Sequence, residues 1–534
     1  MNITNKIIYQ IYPKSFNDTN DDGKGDINGI IEKLDYLKDL GVDMLWLTPI
    51  FSSPQNDNGY DVSDYYNVDP SYGTNQDLDR LIEAATARGI GLMFDMVLNH
   101  TSTEHSWFKK ALKGENQYMD YYFFTKEKYN WESKFGGSAF EYVDDLKMYY
   151  LHLFDTTQAD LNWENAEVFE ELVKIINFWI DKGIKGFRFD VINLISKPEV
   201  FSNTVNTDGR ELYTDGKNVH HLLKNLNKRT FGLKEDIITV GELSSTDIPN
   251  SIEYTKIGNN ELDTIFNFHH LKTDYKDGNK WELDTFDFRA FKNLMIEWQY
   301  SLQENGGMMS LFLNNHDQPR AVSRFGNDSE YHFESATMLA TATMLMRGVP
   351  FIYQGEEIGL PNAYFDNLSD YRDIESINAY NTLIQTNSHE DTIKILLARS
   401  RDNGRTPMPW NTTDYHGFST IEPWIPFTKH TSFTTVEQQL SNPDSILSYY
   451  KRLIKLRKSD DDFTRSTIHF VEIETDSILA YTRGKYLIIS NFSDESKDLS
   501  STYTGTVVLS NINKKGSTIV SSLEPYECII LTID

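Results

Sequence analysis

The chain has one cysteine, Cys528, among 534 residues. No disulfide within the chain can brace the fold, and a reducing compartment suits it. Long apolar runs are also missing. The longest, Ala336 to Met346, is interrupted by threonines and falls far short of the roughly 20 residues a membrane span needs, so it reads as a buried helix. Positive charge is scarce: 51 Lys and Arg against 79 Asp and Glu leave a net charge of -28. Such a surface repels nucleic acid and anionic membranes alike, which removes both as expected partners. Met1 to Tyr12 lacks the basic segment, apolar stretch and cleavage site of a secretory leader, so the cytoplasm is the expected location. No internal repeat or low-complexity tract is present.

What the chain does have is rhythm. Short apolar runs alternate with helix-period segments: Ile7 to Ile11, Met44 to Leu47, Ile90 to Leu98, Ile184 to Phe189, Ile237 to Val240, Thr264 to Phe268, Ser310 to Leu313 and Pro350 to Tyr353. Ile30 to Leu40, Asp77 to Arg88 and Ala166 to Asp181 read as helices between them. About eight such units predict a (β/α)8 TIM barrel rather than an open doubly wound sheet. The rhythm fails after the third strand, where no helix is evident before Ala166, and this predicts an inserted subdomain. Past Lys458 short alternating strands predict a C-terminal antiparallel β-sandwich, with Asp460-Asp461-Asp462 a solvated turn at the boundary. The expected division is 1–100 and 171–458 for the barrel, 101–170 for the insertion and 459–534 for the C-terminal domain.

Three acids close apolar runs, where an unpartnered carboxylate is costly to desolvate. In Gly186-Phe187-Arg188-Phe189-Asp190, strand alternation puts Arg188 and Asp190 on one face. The guanidinium is expected to hold Asp190 down in pKa and ionised, whether as a nucleophile or as half of a structural ion pair. Glu242 follows Val240-Gly241, where glycine permits close backbone approach. It suits a general acid, although a glutamate after a strand equally fits a helix N-terminus. Asp317 ends Asn315-His316-Asp317, and Asp95 begins a run ending Asn99-His100. Paired carboxylates, one ionised and one protonated, separated by about 5 Å, are what retaining glycoside hydrolysis requires. Neither His100 nor His316 has a second ligand at metal-binding spacing.

These segments, in this order, resemble the signature regions of the alpha-amylase family, glycoside hydrolase family 13. Gln158-Ala159-Asp160-Leu161-Asn162 is similar to the family's fifth region. The resemblance implies Asp190 as nucleophile, Glu242 as general acid/base and Asp317 as transition-state stabiliser. Asp95 would support the site, Arg188, His100 and His316 would contact the sugar, and Tyr60 would stack on it. Asp61 with Arg405 resembles the pair that closes the pocket of exo-acting glucosidases. Asp18-Thr19-Asn20-Asp21-Asp22-Gly23-Lys24-Gly25-Asp26 resembles a calcium loop. Asp18, Asn20, Asp22 and Asp26 would supply side-chain oxygen and Lys24 its backbone; a helix-capping acidic turn is the alternative. No organic cofactor is implied.

Within the family, Asn130 to Gly137, Gly241 to Thr246 and Phe268 to Lys272 look most similar to trehalose-6-phosphate hydrolases. Oligo-1,6-glucosidases share the core motifs, and Val191 occurs in both groups. A dianionic substrate needs local cations in so acidic a chain, and Lys134, Lys272 and Lys280 are the candidate phosphate ligands, a solvated lysine being the alternative reading of each. The oligomeric state is left open, with a monomer compatible.

Overall fold

A computed structural model describes residues 3–533. Eight parallel strands form one ladder: β1 (Ile8–Ile11), β2 (Met44–Leu47), β3 (Gly91–Met96), β4 (Gly186–Phe189), β5 (Ile238–Glu242), β6 (Thr264–Phe266), β7 (Ser310–Leu311) and β8 (Val349–Tyr353). Their spatial order is β6-β5-β4-β3-β2-β1-β8-β7, the sequential winding of a (β/α)8 barrel. Each expected strand is present; five are shorter than their apolar runs, β2 matches its run, and β5 and β8 are a residue longer. The run marks what is buried, while the ladder ends where the backbone turns away.

Contacts divide the described residues into two compact units: 46–268 with 305–308, and 3–45 with 269–304 and 309–533. In the first, β4 pairs with β3 through Arg188↔Asp95 and with β5 through Arg188↔Val240. Because side chains alternate, Asp95, Arg188 and Val240 share one face in one row, and Asp190 and Glu242 follow on that face in the next. Helix α1 (Ala166–Asp181) covers the exact span expected. It is capped by Asn165 and buries Val168, Leu172, Ile175, Ile176 and Trp179 at helical spacing.

Between Thr101 and Ala166 the reading of no helix is corrected, because Ser106–Leu112 and Asn116–Met119 are helical. The His105 side chain caps the first, accepting from Trp107 N–H, and Phe108 and Ala111 are its only buried residues. Seven residues with so narrow an apolar stripe give no readable period. The segment also holds a three-stranded antiparallel sheet of Phe124–Thr125, Phe140–Val143 and Met148–Leu151.

In the second unit β1 pairs with β8 and β8 with β7. The apolar run from Ala336 lies in α2 (His332–Met344), where every residue from Ser335 to Met344 is buried. Its threonines tolerate this because they bond back into the helix, Thr337 Oγ1 to Phe333 O and Thr341 Oγ1 to Thr337 O. After α3 (Ile446–Ser459), Asp460-Asp461-Asp462 is not an open turn: Asp460 caps the short helix Asp461–Arg465. The remaining strands are β9 (Ile468–Phe470), β10 (Ile478–Arg483), β11 (Tyr486–Asn491), β12 (Lys497–Ser510), β13 (Gly516–Leu523) and β14 (Cys528–Thr532). They form one antiparallel ladder in the order β9-β10-β11-β14-β12-β13. Ile478, Ala480, Leu487, Ile489, Ile529 and Leu531 build its own core on one face. Tyr481 on the other face donates to carbonyls of α2, so the central strands are buried on both sides.

Candidate active site

In the first unit the site is organised around Arg188, whose side chain is 1% exposed. Its Nη1 donates to Asp95 Oδ1 at 2.5 Å and to Asp190 Oδ1 at 2.7 Å, and its Nη2 donates to Glu242 Oε2. The guanidinium lies 5.2 Å from the Trp46 ring and 5.7 Å from the Tyr60 ring, within cation–π range. Trp46 Nε1 and Tyr60 Oη both donate to Asp95 Oδ2, at 3.1 and 2.9 Å. Asp95 is therefore enclosed by donors, the position of a supporting group.

The expectation that Arg188 depresses Asp190 does not hold. Burial drives the Asp190 carboxyl up to about 6, and the nearby charge of Asp95 adds to this; attraction to Arg188 and a hydrogen bond with Glu242 offset only part of it. Asp95 is likewise raised to about 6, by burial first and with Glu242 adding to it, against Arg188 and Tyr60. One guanidinium is shared among three carboxylates, so none receives a whole counter-charge.

Backbone geometry aims the pair. Val191, directly after Asp190, adopts φ +36°, ψ +42°, a left-handed conformation that costs a β-branched residue energy and persists only where its surroundings enforce it. Its N–H lies 3.4 Å from Glu242 Oε2. Gly241 has little room beside it: a Cβ there would come within 2.5 Å of Leu262 Cδ1 and 3.1 Å of Ile192 Cγ2, side-chain methyls that would have to shift. The close backbone approach expected before Glu242 is not what surrounds it.

His100 is buried and neutral, its pKa lowered to about 4 by desolvation. Its Nε2 faces the Tyr60 carbonyl at 3.0 Å and its Nδ1 the Asn99 amide at 3.2 Å, so both ring nitrogens already have protein partners. Asn99 in turn accepts from Lys197 Nζ, which is paired with Asp160 at 2.6 Å; both charges are fully buried. Asp61 is also fully buried and accepts from Ser53 Oγ and from the Asn56 and Asp57 N–H groups, while burial raises its pKa. Lys134 Nζ donates to Ser244 Oγ at 3.1 Å, two residues beyond Glu242, and lies 5.5 Å over the Tyr213 ring.

In the second unit Asp317 faces two arginines and an imidazole. Arg405 Nη2 lies 2.9 Å and Arg401 Nη1 3.3 Å from Oδ1, with His316 Nε2 3.1 Å from Oδ2. Burial acts to raise its pKa, but His316, Arg401 and Arg405 prevail and hold it well below the carboxylate range. The Gln10 amide faces His316 Nδ1 at 2.8 Å, and donation to that nitrogen leaves Nε2–H for Asp317. Arg405 Nε also donates to the His316 carbonyl. Sequence reasoning missed Arg401 and Asp373, which pair at 2.6 Å, although Arg401 stands in the same polar run as Arg405. Lys280 pairs with Glu375 at 2.6 Å, and Glu375 lies 3.3 Å from Arg401. Lys272 is exposed at the end of the turn His269–Lys272.

In residues 18–26, Asp18 Oδ1 accepts from the Asn20 and Asp21 N–H groups and Oδ2 from Gly23 N–H and Ser419 Oγ. Asn20 and Asp22 accept from the N–H groups of Asp22 and Lys24. Asp26 caps the helix Ile27–Glu32, as the alternative reading had it. Among the described residues no group of three or more His, Cys, Asp or Glu is arranged to hold a metal. The donors are all oxygens, which fits a hard cation, but they are turned to backbone N–H groups.

The sequence pattern described as the alpha amylase catalytic domain matches residues 10–466. The trehalose-6-phosphate hydrolase of Bacillus subtilis (strain 168) is 47% identical, over 98% of this chain and 97% of its own length. An oligo-1,6-glucosidase of Parageobacillus thermoglucosidasius is 44% identical over 92% of this chain and 90% of its own. The crystal structure of Bacillus licheniformis trehalose-6-phosphate hydrolase superposes with a TM-score of 0.94 at 46% identity, over 99% of this chain and 98% of that one.

Proposed function

Because this chain belongs to the alpha-amylase family, we propose that it is a retaining, exo-acting α-glucosidase that hydrolyses trehalose 6-phosphate to glucose and glucose 6-phosphate. The observation that carries the mechanism is that one buried guanidinium holds both carboxyls: Arg188 Nη1 donates to Asp190 Oδ1 at 2.7 Å and its Nη2 to Glu242 Oε2. Carboxyls gathered on one guanidinium suit the separation of about 5 Å of a retaining nucleophile and its acid, rather than the roughly 6.5–9.5 Å an inverting enzyme keeps for its water.

In this reading the Asp190 carboxylate attacks the anomeric carbon of the unphosphorylated glucose, while the Glu242 proton passes to the departing oxygen. Glucose 6-phosphate leaves. Glu242, now a base, takes a proton from water, which opens the β-glucosyl ester and releases α-glucose. Asp317, kept ionised by its arginines, grips ring hydroxyls, and Arg188 balances the charge as Asp190 is consumed. His100 acts from behind the site, since both its nitrogens already face protein groups. Lys134 is our first choice for the phosphate because it is tethered beside Glu242, and Lys280 follows through Glu375 and Arg401.

Proton NMR of the first anomer released tests retention, and initial β-glucose would refute it. The oligo-1,6-glucosidase reading rests on the 44% identity above. Comparing kcat/KM for trehalose 6-phosphate, trehalose and isomaltose decides between the two, and preference for isomaltose would overturn ours.

We place calcium, as a structural ion, in the 18–26 loop, supported by its oxygen-only donors. Titration calorimetry on chelator-treated protein should show one site that Asp18→Ala removes; absence of heat would exclude it. The cytoplasm follows from the substrate proposed, since a sugar phosphate dianion does not cross a bilayer unaided.

A further inference from the structure

Asn193 lies three residues beyond Asp190 in the short turn Ile192–Leu194 and is fully buried. Its amide makes both hydrogen bonds of a peptide-like pair with one residue: Nδ2 donates to the Ser244 carbonyl at 2.9 Å, and Oδ1 accepts from the Ser244 N–H at 3.0 Å. Ser244 stands two residues beyond Glu242. The bond thus joins the segment leaving the proposed nucleophile to the segment leaving the proposed acid, past the end of the β4–β5 ladder, whose last pair is Phe189↔Gly241.

The amide is itself held in place. Nδ2 also donates to Asp215 Oδ1 at 3.1 Å, that oxygen accepts from Tyr254 Oη at 2.8 Å, and the Asp215 N–H donates back to the Asn193 carbonyl at 2.9 Å. Both joined segments carry strain: Val191 at φ +36° and Ser245 at φ +56° are left-handed without being glycine. Strain of this kind needs an external restraint, and Asn193 supplies it to both sides.

The geometry points to Asn193 as a positioning residue that fixes Glu242 relative to Asp190 and, through Ser244, presents Lys134 to the leaving group. This rests on the acid/base roles proposed above. An amide is needed because it offers one donor and one acceptor in a plane. A carboxylate of the same shape would set a lone pair against the Ser244 carbonyl.

The test is Asn193→Asp, with Asp215→Asn as a second variant should the first fail to fold, both checked by thermal melts. Trehalose 6-phosphate and isomaltose have leaving groups that need protonation, whereas 2,4-dinitrophenyl α-glucoside does not. A misplaced acid should lower kcat for the natural glucoside by about 100-fold while the dinitrophenyl substrate loses less than about 5-fold, and the upper limb of the kcat–pH profile should move. Asp215→Asn should show the same order with smaller losses. Equal losses on both substrates, or an unmoved pH limb, would overturn the inference. A wild-type enzyme inert to trehalose 6-phosphate but active on isomaltose would refute the substrate assignment alone and leave the Asn193 comparison intact.

Discussion

Arg188 serves Asp95, Asp190 and Glu242 at once, and on the proposed mechanism this sharing should set the acid limb of the activity. With Asp190 raised to about 6, the proposed nucleophile would be protonated and idle at lower pH. Wild-type kcat/KM should therefore fall below about pH 6, as the titration of the coupled cluster rather than of one residue. Asp190→Asn should abolish turnover; a pH-rate series on each natural glucoside checks both. Lys134→Ala should raise KM for trehalose 6-phosphate about 10-fold or more, the loss of one charge-assisted contact, and leave dinitrophenyl glucoside unchanged. Equal effects on the two would remove Lys134 from the phosphate site.

At the scale of elements, α2 ends beneath two arginines that have no acid partner among their hydrogen bonds. Arg457 donates to the carbonyls of Met344, Met346, Thr4 and Gly348, and Arg483 donates to that of Leu345. Terminal carbonyls of a buried helix need donors, and the negative end of its dipole favours cations. Arg457→Met should cost about 3 kcal/mol by leaving several carbonyls unsatisfied, seen as a lower urea midpoint with an unchanged slope. Arg457→Lys should recover part of this, keeping the charge but not the fork. The threonines of α2 made its burial legible from composition; its two arginines were not, because they come from α3 and β10, more than a hundred residues away in sequence.

Over the whole molecule, burial sets the pH dependence of stability. Asp95, Asp190 and Asp402 are raised to about 6 and Glu356 to about 7. Each is protonated when folded at pH values where the unfolded chain has already ionised. Their contribution is fully present below the unfolded values near 4 and is lost as pH rises through 6 to 7. Asp317 and Asp373 are shifted the other way, so what they add is lost only on acidification below about 4. Self-repulsion at a net charge of -28 acts with the first group. The melting temperature should fall from pH 5 to pH 8, and added salt should recover more of it at pH 8 than at pH 5; a flat profile would contradict this.

The sequence by itself determined the eight strands, the buried α2, the spans of α1 and the order of the acids, because apolar periodicity and strand alternation are local rules. It placed Arg188 and Asp190 on one face for the same reason. Tertiary structure alone decided how charge is divided: that Arg188 has three claimants, that Asp190 is raised and Asp317 lowered, that His100 is enclosed, and that Arg401 and Asn193 matter. Electrostatics and hydrogen bonding depend on distance and burial between segments far apart in the chain, and no local pattern of residues records either.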